Sequence, residues 1–187
     1  MKTDITLLVT PKMAKDAQEN LKKALTGHLG THFDVMNKTF PLEYTELEGI
    51  VFDIKDNGQG ETMPDDIDLS LVKPGMFVAF HSGFIEQEGY GGAGYFKEHP
   101  QLSMEVIHQL IEKKISIIGI DFAGVRCGKE HTPTDQLCAD HGVFIIENLC
   151  NLGKILNGKP YATFHAHTYP MNFSNMTGLP CRVVADV

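Results

Sequence analysis

His28-Leu29-Gly30-Thr31-His32-Phe33-Asp34 sets two imidazoles and a carboxylate within seven residues, with Gly30 between the histidines to let the backbone bend. Neutral imidazole and ionised carboxylate are ligands for a divalent metal such as zinc, manganese or iron. Three protein ligands are also what a catalytic metal site uses while leaving a position open for water. An extended strand turns every second side chain to the same face, so a strand through this stretch would gather His28, His32 and Asp34, whereas a helix would align only the two histidines. The strand is therefore the expected reading. The other reading is a polar turn whose side chains cap backbone groups.

Around this stretch the chain is one of 187 residues, the length of one well-filled core, so a single domain over residues 1–187 is expected. A net charge of −8 with no basic stripe argues against a nucleic-acid partner. No apolar run approaches the roughly 18 residues of a membrane span, and the apolar start of the chain stops at Pro11 without signal-peptide architecture, so a cytoplasmic protein is expected. Cys127, Cys138, Cys150 and Cys181 stand eleven or more residues apart, which excludes a Cys-x-x-Cys metal or redox motif and leaves reduced, mostly buried thiols.

The periodicity predicts strands at Asp4 to Val9, Gly49 to Ile54, Met76 to Phe80, Ile115 to Ile120, Val143 to Ile146, Tyr161 to His167 and Cys181 to Val184. Between them it predicts a helix capped by Thr10 with Pro11 in its first turn and apolar Met13, Ala17, Leu21, Ala24 and Leu25, stopped by Gly27. A second helix follows Ser103, with Val106, Leu110 and Ile111 on one side, and a short third one runs from Pro133 to Asp140 behind Thr132 as cap. Asp53 to Glu61 and Asn151 to Pro160 read as turn-rich connections. Mixed strands and helices in one unit give an α/β fold with a mixed sheet and flanking helices.

Three further features bear on function. His81 ends a strand, where α/β proteins tend to bind ligands, and is a candidate catalytic residue. Gly89 to Tyr95 is rich enough in glycine to cradle a ligand or act as a lid. His165 and His167 share a strand face and could bind a metal, although an alternating pair is also what a solvated strand face looks like.

The pattern His-x-Gly-Thr-His-x-Asp resembles the signature of the cyclase family, which includes metal-dependent kynurenine formamidases and isatin hydrolases. The likeness continues through Asp68 to Val78, His99 to Ser103, Ile118 to Asp121, Gly142 to Leu149 and Gly178 to Arg182, in the family's order. It implies a swivelling β/β/α architecture, a divalent metal (zinc or manganese) and hydrolysis of a small amide, N-formyl amide or cyclic amide by activated water. His28, His32 and Asp34 are the expected ligands, Glu147 matches a further family ligand, and Asp135 stands where formamidases carry a metal-binding histidine. His131, four residues earlier, could substitute for Asp135 in a helix.

The chain departs from formamidases after the motif, where Met36-Asn37-Lys38 replaces Pro-x-His. Lys38 thus holds the family's acid/base position, although lysine's reference pKa of about 10.4 makes it a weak base at neutral pH unless its surroundings depress it. Lys38 could instead orient an anionic substrate. Kynurenine formamidase itself is therefore not the expected activity, and a non-catalytic metal or small-ligand binding protein is the alternative. The resemblance also implies a homo-oligomer, dimer or tetramer, acting on a small molecule.

Overall fold

Seven strands close into a ring in the computed structural model, which describes residues 1–20, 26–58 and 60–187. In chain order the elements are β1 (Lys2–Asp4), α1 (Pro11–Gln18), β2 (His32–Asp34), β3 (Glu46–Asp53), β4 (Glu61–Thr62), β5 (Phe77–His81), α2 (Phe84–Glu88), β6 (Gln101–Leu102) and α3 (Met104–Glu112). There follow β7 (Ile117–Ile120), α4 (His131–Asp140), β8 (Phe144–Glu147), α5 (Leu152–Leu156), β9 (Tyr161–Pro170) and β10 (Gly178–Asp186). The sheet runs β1-β10-β2-β8-β7-β5-β3-β9, and β9 also pairs with β10, which closes the ring and leaves β1 as an added edge. Strands β8, β7, β5 and β3 are mutually parallel, while β2, β9 and β10 run antiparallel to their neighbours.

Alternation along the strands sorts the apolar side chains into two layers. Phe33, Val51, Phe77, Ile117, Ile146 and Phe164 fill the ring. Ile50, Phe52, Val78, Phe80, Ile118 and Ile145 face outward into a second core with Val106, Ile107 and Leu110 of α3 and Cys138 of α4. A strand covered on both sides reads as a continuous apolar run, as Ile115 to Ile120 does. This mixed α/β fold with flanking helices is the one the sequence predicts.

Several boundaries differ from the expectation. The first strand ends at Asp4, whose carboxylate accepts the Thr6 backbone N–H at 3.0 Å and turns the chain; beyond it Thr6 forms an isolated bridge to Leu149 while its hydroxyl bonds the Val183 backbone. Thr10 caps α1 as expected, with the Met13 N–H on its side chain, while the predicted continuation through Leu21, Ala24 and Leu25 lies outside the described residues. Helix α4 starts at His131 out of a 3₁₀ turn over Gly128–Glu130, so Thr132 sits inside its first turn rather than capping it. Residues 151–160 contain a helix, α5, flanked by Asn151 and Asn157 in the left-handed region and burying Leu152, Ile155 and Leu156 in the ring. All four cysteines are free, but only Cys138 is buried and the others are partly covered. Among the described residues no helix is long and apolar enough to cross a membrane.

Candidate metal centre

Strand β2 is short, and its register places the site. Phe33 points into the ring, so His32 and Asp34 point outward, and His32 lies directly opposite Glu147 at the end of β8. The parity argument therefore holds for His32 and Asp34. His28 arrives differently, because residues 29–31 turn about Gly30 at φ +70° and bring its ring back over the strand. A strand through the whole motif is thus replaced by a turn feeding a three-residue strand.

The turn is anchored where Gly27, at φ +84°, packs on Gly178: a Cβ on Gly27 would lie 2.0 Å from the Gly178 carbonyl oxygen. Gly178 N–H donates to the Thr26 carbonyl at 2.8 Å, and His28 Nε2 sits 2.8 Å from Thr177 Oγ1. Gly27→Ala is therefore expected to destabilise the fold by about 1–3 kcal/mol through overpacking, plus about 1–2 kcal/mol for the left-handed backbone. Urea denaturation measures the loss.

His28 Nδ1 stands 3.0 Å from His32 Nε2 and 3.1 Å from Asp34 Oδ1, and His32 Nε2 stands 3.6 Å from both Asp34 Oδ1 and Glu147 Oε2. A tetrahedral centre with bonds of about 2.1 Å separates its donors by about 3.4 Å, so this spacing suits a metal with little movement. His32 Nδ1 lies 2.9 Å from the Gly30 carbonyl, which can only accept, so that nitrogen carries the proton and Nε2 presents a lone pair to the cluster. Asp34 is buried, and its Oδ2 has no hydrogen-bond partner. Burial alone would raise the Asp34 carboxyl, but the His32 and His28 rings outweigh it and hold the group well below the ordinary carboxylate range. His28 Nδ1, His32 Nε2 and Asp34 Oδ1 converge, and with the buried, unpartnered Oδ2 of the same carboxylate this donor set fits a divalent cation.

A second pair faces the first. His131 Nε2, on α4, lies 3.2 Å from Asp135 Oδ2 one turn on, and 3.5 Å from Glu147 Oε1. Glu147 thus stands between the two groups, one oxygen toward His32 and the other toward His131. All six residues line a cavity of about 420 Å³ that also meets Met36, Phe96 and Ala123 on its apolar side.

Two expected site residues lie elsewhere. Lys38 Nζ is 2.6 Å from Asp140 Oδ1 near the end of α4 and does not line this cavity, so this geometry does not carry the acid/base role its sequence position implies. His81 lines a different cavity with Lys55 and Glu86, its Nδ1 3.4 Å from Asp53 Oδ1. Burial lowers its pKa, partly offset by Asp53. The physical reason is Asp121, which accepts Ser82 N–H, Ser82 O–H and Gly83 N–H at 2.6–3.0 Å and so fixes the turn after β5. Burial pushes the Asp121 carboxyl up to about 7 despite these donors.

Residues outside the ligand set, whose part in the site only the fold reveals, hold the motif from behind. Asn148, just past β8 at φ +60°, donates from Nδ2 to the Gly30 carbonyl and accepts Tyr95 O–H on Oδ1. Thr31 O–H donates to the Asn148 carbonyl, and Gly30 N–H donates to the Tyr90 hydroxyl oxygen at 3.0 Å. The segment from Gly89 to Tyr95 therefore buttresses the motif through two tyrosines, with Tyr95 fully buried, rather than forming a lid of glycines alone.

Fold and site together define a mixed α/β protein with a His/Asp metal-type cluster on the outer face of its sheet. The Cyclase family profile matches residues 3–125, and the chain belongs to that family. Among solved structures it is similar to a potential metal-dependent hydrolase with cyclase activity, with 22% identity over 99% of this chain and 96% of that one and a TM-score of 0.78. It is also similar to isatin hydrolase A from Labrenzia aggregata, bound there to benzyl benzoate, at 19% identity over 99% and 93% of the two chains with a TM-score of 0.74. No curated protein sequence matches the chain.

Proposed function

We propose that the protein is a metal-dependent hydrolase that cleaves a carbon–nitrogen bond in a small amide, N-formyl amide or cyclic amide. The observation that carries this reading is the convergence of His28, His32 and Asp34 donors within 3.0–3.6 Å inside a cavity of small-molecule size. The solved isatin hydrolases of the same fold support it. His28, His32 and Asp34, with Glu147 beside them, would hold the metal, zinc or manganese by donor type. Such a cation, when bound, lowers the pKa of water toward ~7 and polarises the carbonyl it faces.

The chain's own residues account for the proton. His131, oriented by the buried Asp135 carboxylate, is a base held by an acid group in the manner general acid/base catalysis requires. It takes the proton from the attacking water and returns it to the departing nitrogen, while Phe96 and Met36 provide an apolar wall that limits bulk water. In this reading Asp135 positions His131 rather than binding the metal, and Lys38 has no part.

His131→Ala is expected to keep its metal and lose about 10²–10⁴ in turnover. Assay against a panel of formamides, lactams and imides, with elemental analysis of the same preparations, measures both. Chelation should abolish turnover in the unaltered protein. Stoichiometric metal with no turnover across the panel would favour a binding protein that keeps the fold.

A further inference from the structure

One strand, β10, separates β2 from β9, and β9 with its neighbour β3 carries a second set of donors. His165 and His167 alternate on β9 and face outward, since Phe164 and Ala166 between and beside them fill the ring. The register sets His167 directly opposite Glu46 and His165 directly opposite Glu48, both on β3. His165 Nδ1 lies 3.1 Å from Glu48 Oε1, His167 Nδ1 lies 3.8 Å from Glu46 Oε1, and the two rings stand edge to face at 5.0 Å. One donor atom from each of Glu46, His165 and His167 falls within 4.8 Å of the others.

From this juxtaposition we infer that His165, His167 and Glu46 form a second divalent transition-metal site, which staples β9 to β3. Two imidazoles and a carboxylate select a borderline metal such as zinc over calcium or magnesium, which prefer oxygen alone. Donors at up to 4.8 Å must draw together to about the 3.4 Å of a tetrahedral centre with bonds near 2.1 Å. Rotation about χ angles supplies that movement, mostly from Glu46 and His165, whose side chains are 56% and 40% exposed, while the His167 side chain, at 22%, is the more fixed of the three.

The local charge favours a cation. Glu48 and Asp186 flank His165 on its two neighbouring strands, so three carboxylates surround two rings. Tyr169 O–H donates at 2.6 Å to Glu46 Oε1, the oxygen that faces His167, which orients that carboxylate and keeps it ionised. Open water positions would complete the coordination. Because the ligands come from two neighbouring strands, β3 and β9, a bound ion adds a cross-link present only in the folded chain.

The site is separated from the catalytic cluster by working in the His32→Ala background. Zinc titrated into chelated full-length His32→Ala is expected to bind at one equivalent by calorimetry and to raise the melting temperature by several degrees, while calcium does neither. Adding His165→Ala and His167→Ala should remove both the binding and the shift. In the otherwise unaltered chain, the same two substitutions should lower zinc stoichiometry by one equivalent and leave turnover unchanged, since neither residue lines the cavity. Equal zinc binding with and without the two histidines would overturn the inference. So would the absence of any zinc uptake by His32→Ala that still melts cooperatively. Loss of turnover in that same variant concerns the catalytic cluster alone.

Discussion

His32→Ala is expected to purify without the catalytic metal and to lose turnover by at least about 10³-fold, the scale on which catalysis by an activated water rests. His32 Nε2 is the donor nearest the middle of the group, within 3.6 Å of His28, Asp34 and Glu147 alike. Its other nitrogen is tied to the Gly30 carbonyl, so its orientation is fixed before any metal arrives. Removing it leaves Asp34 buried beside a single imidazole and opens a hole against β8. Elemental analysis of protein prepared without chelator checks the first effect and the amide panel the second. Metal retained at full stoichiometry in a variant lacking the surface histidines as well would exclude the cluster. The circular dichroism of the variant should stay near the parent's, because the two apolar layers on either side of the sheet do not include His32.

Much of this site is legible in the chain because its chemistry is concentrated in one short run. Two histidines and an aspartate within seven residues suffice to point to a metal, and strand parity then joins His32 to Asp34. Strand parity failed at His28 because the glycine that makes the motif compact also breaks the strand, and only the packing of Gly27 on Gly178 shows where the turn goes. Helix α5 is hidden in the sequence for a similar reason. Leu152, Ile155 and Leu156 keep helical spacing, but Asn151, Gly153, Asn157 and Gly158 outweigh them in a window of that length.

Long-range pairings explain the remaining differences. The resemblance to formamidases implies an acid/base role at Lys38, yet after Val35 the chain leaves the strand through Met36 in the left-handed region, and Asp140 takes the ammonium. Nothing near Lys38 in sequence announces Asp140. Conversely, Asn148, Tyr90 and Tyr95 reach the Gly30 turn from segments 60 to 118 residues away, so their role follows from the closed sheet and not from local pattern. His131 and Asp135 are an intermediate case. One helical turn joins them on α4, and the packing of α4 beside β8 then supplies Glu147 as their neighbour.

That position of Glu147 gives the second large effect. Glu147→Gln keeps the shape of a side chain that is 6% exposed but removes a negative charge lying between His32 and His131. Loss of that charge weakens the field holding a cation at His28, His32 and Asp34, and it also frees His131 from the carboxylate 3.5 Å away that complements Asp135 in orienting it. Metal affinity is expected to fall by roughly 100-fold or more, beyond the 10–100-fold typical of residues that only support a ligand. Turnover should remain depressed even at saturating metal, because His131, the proposed base, has lost one of its two acidic neighbours. His131→Ala would touch turnover alone and Glu147→Gln both quantities, so measuring kcat and metal affinity on the two variants separates binding from proton transfer. If Glu147→Gln bound metal as tightly as the parent, Glu147 would be a partner of His131 only, and the cation would rest on the three residues of the motif.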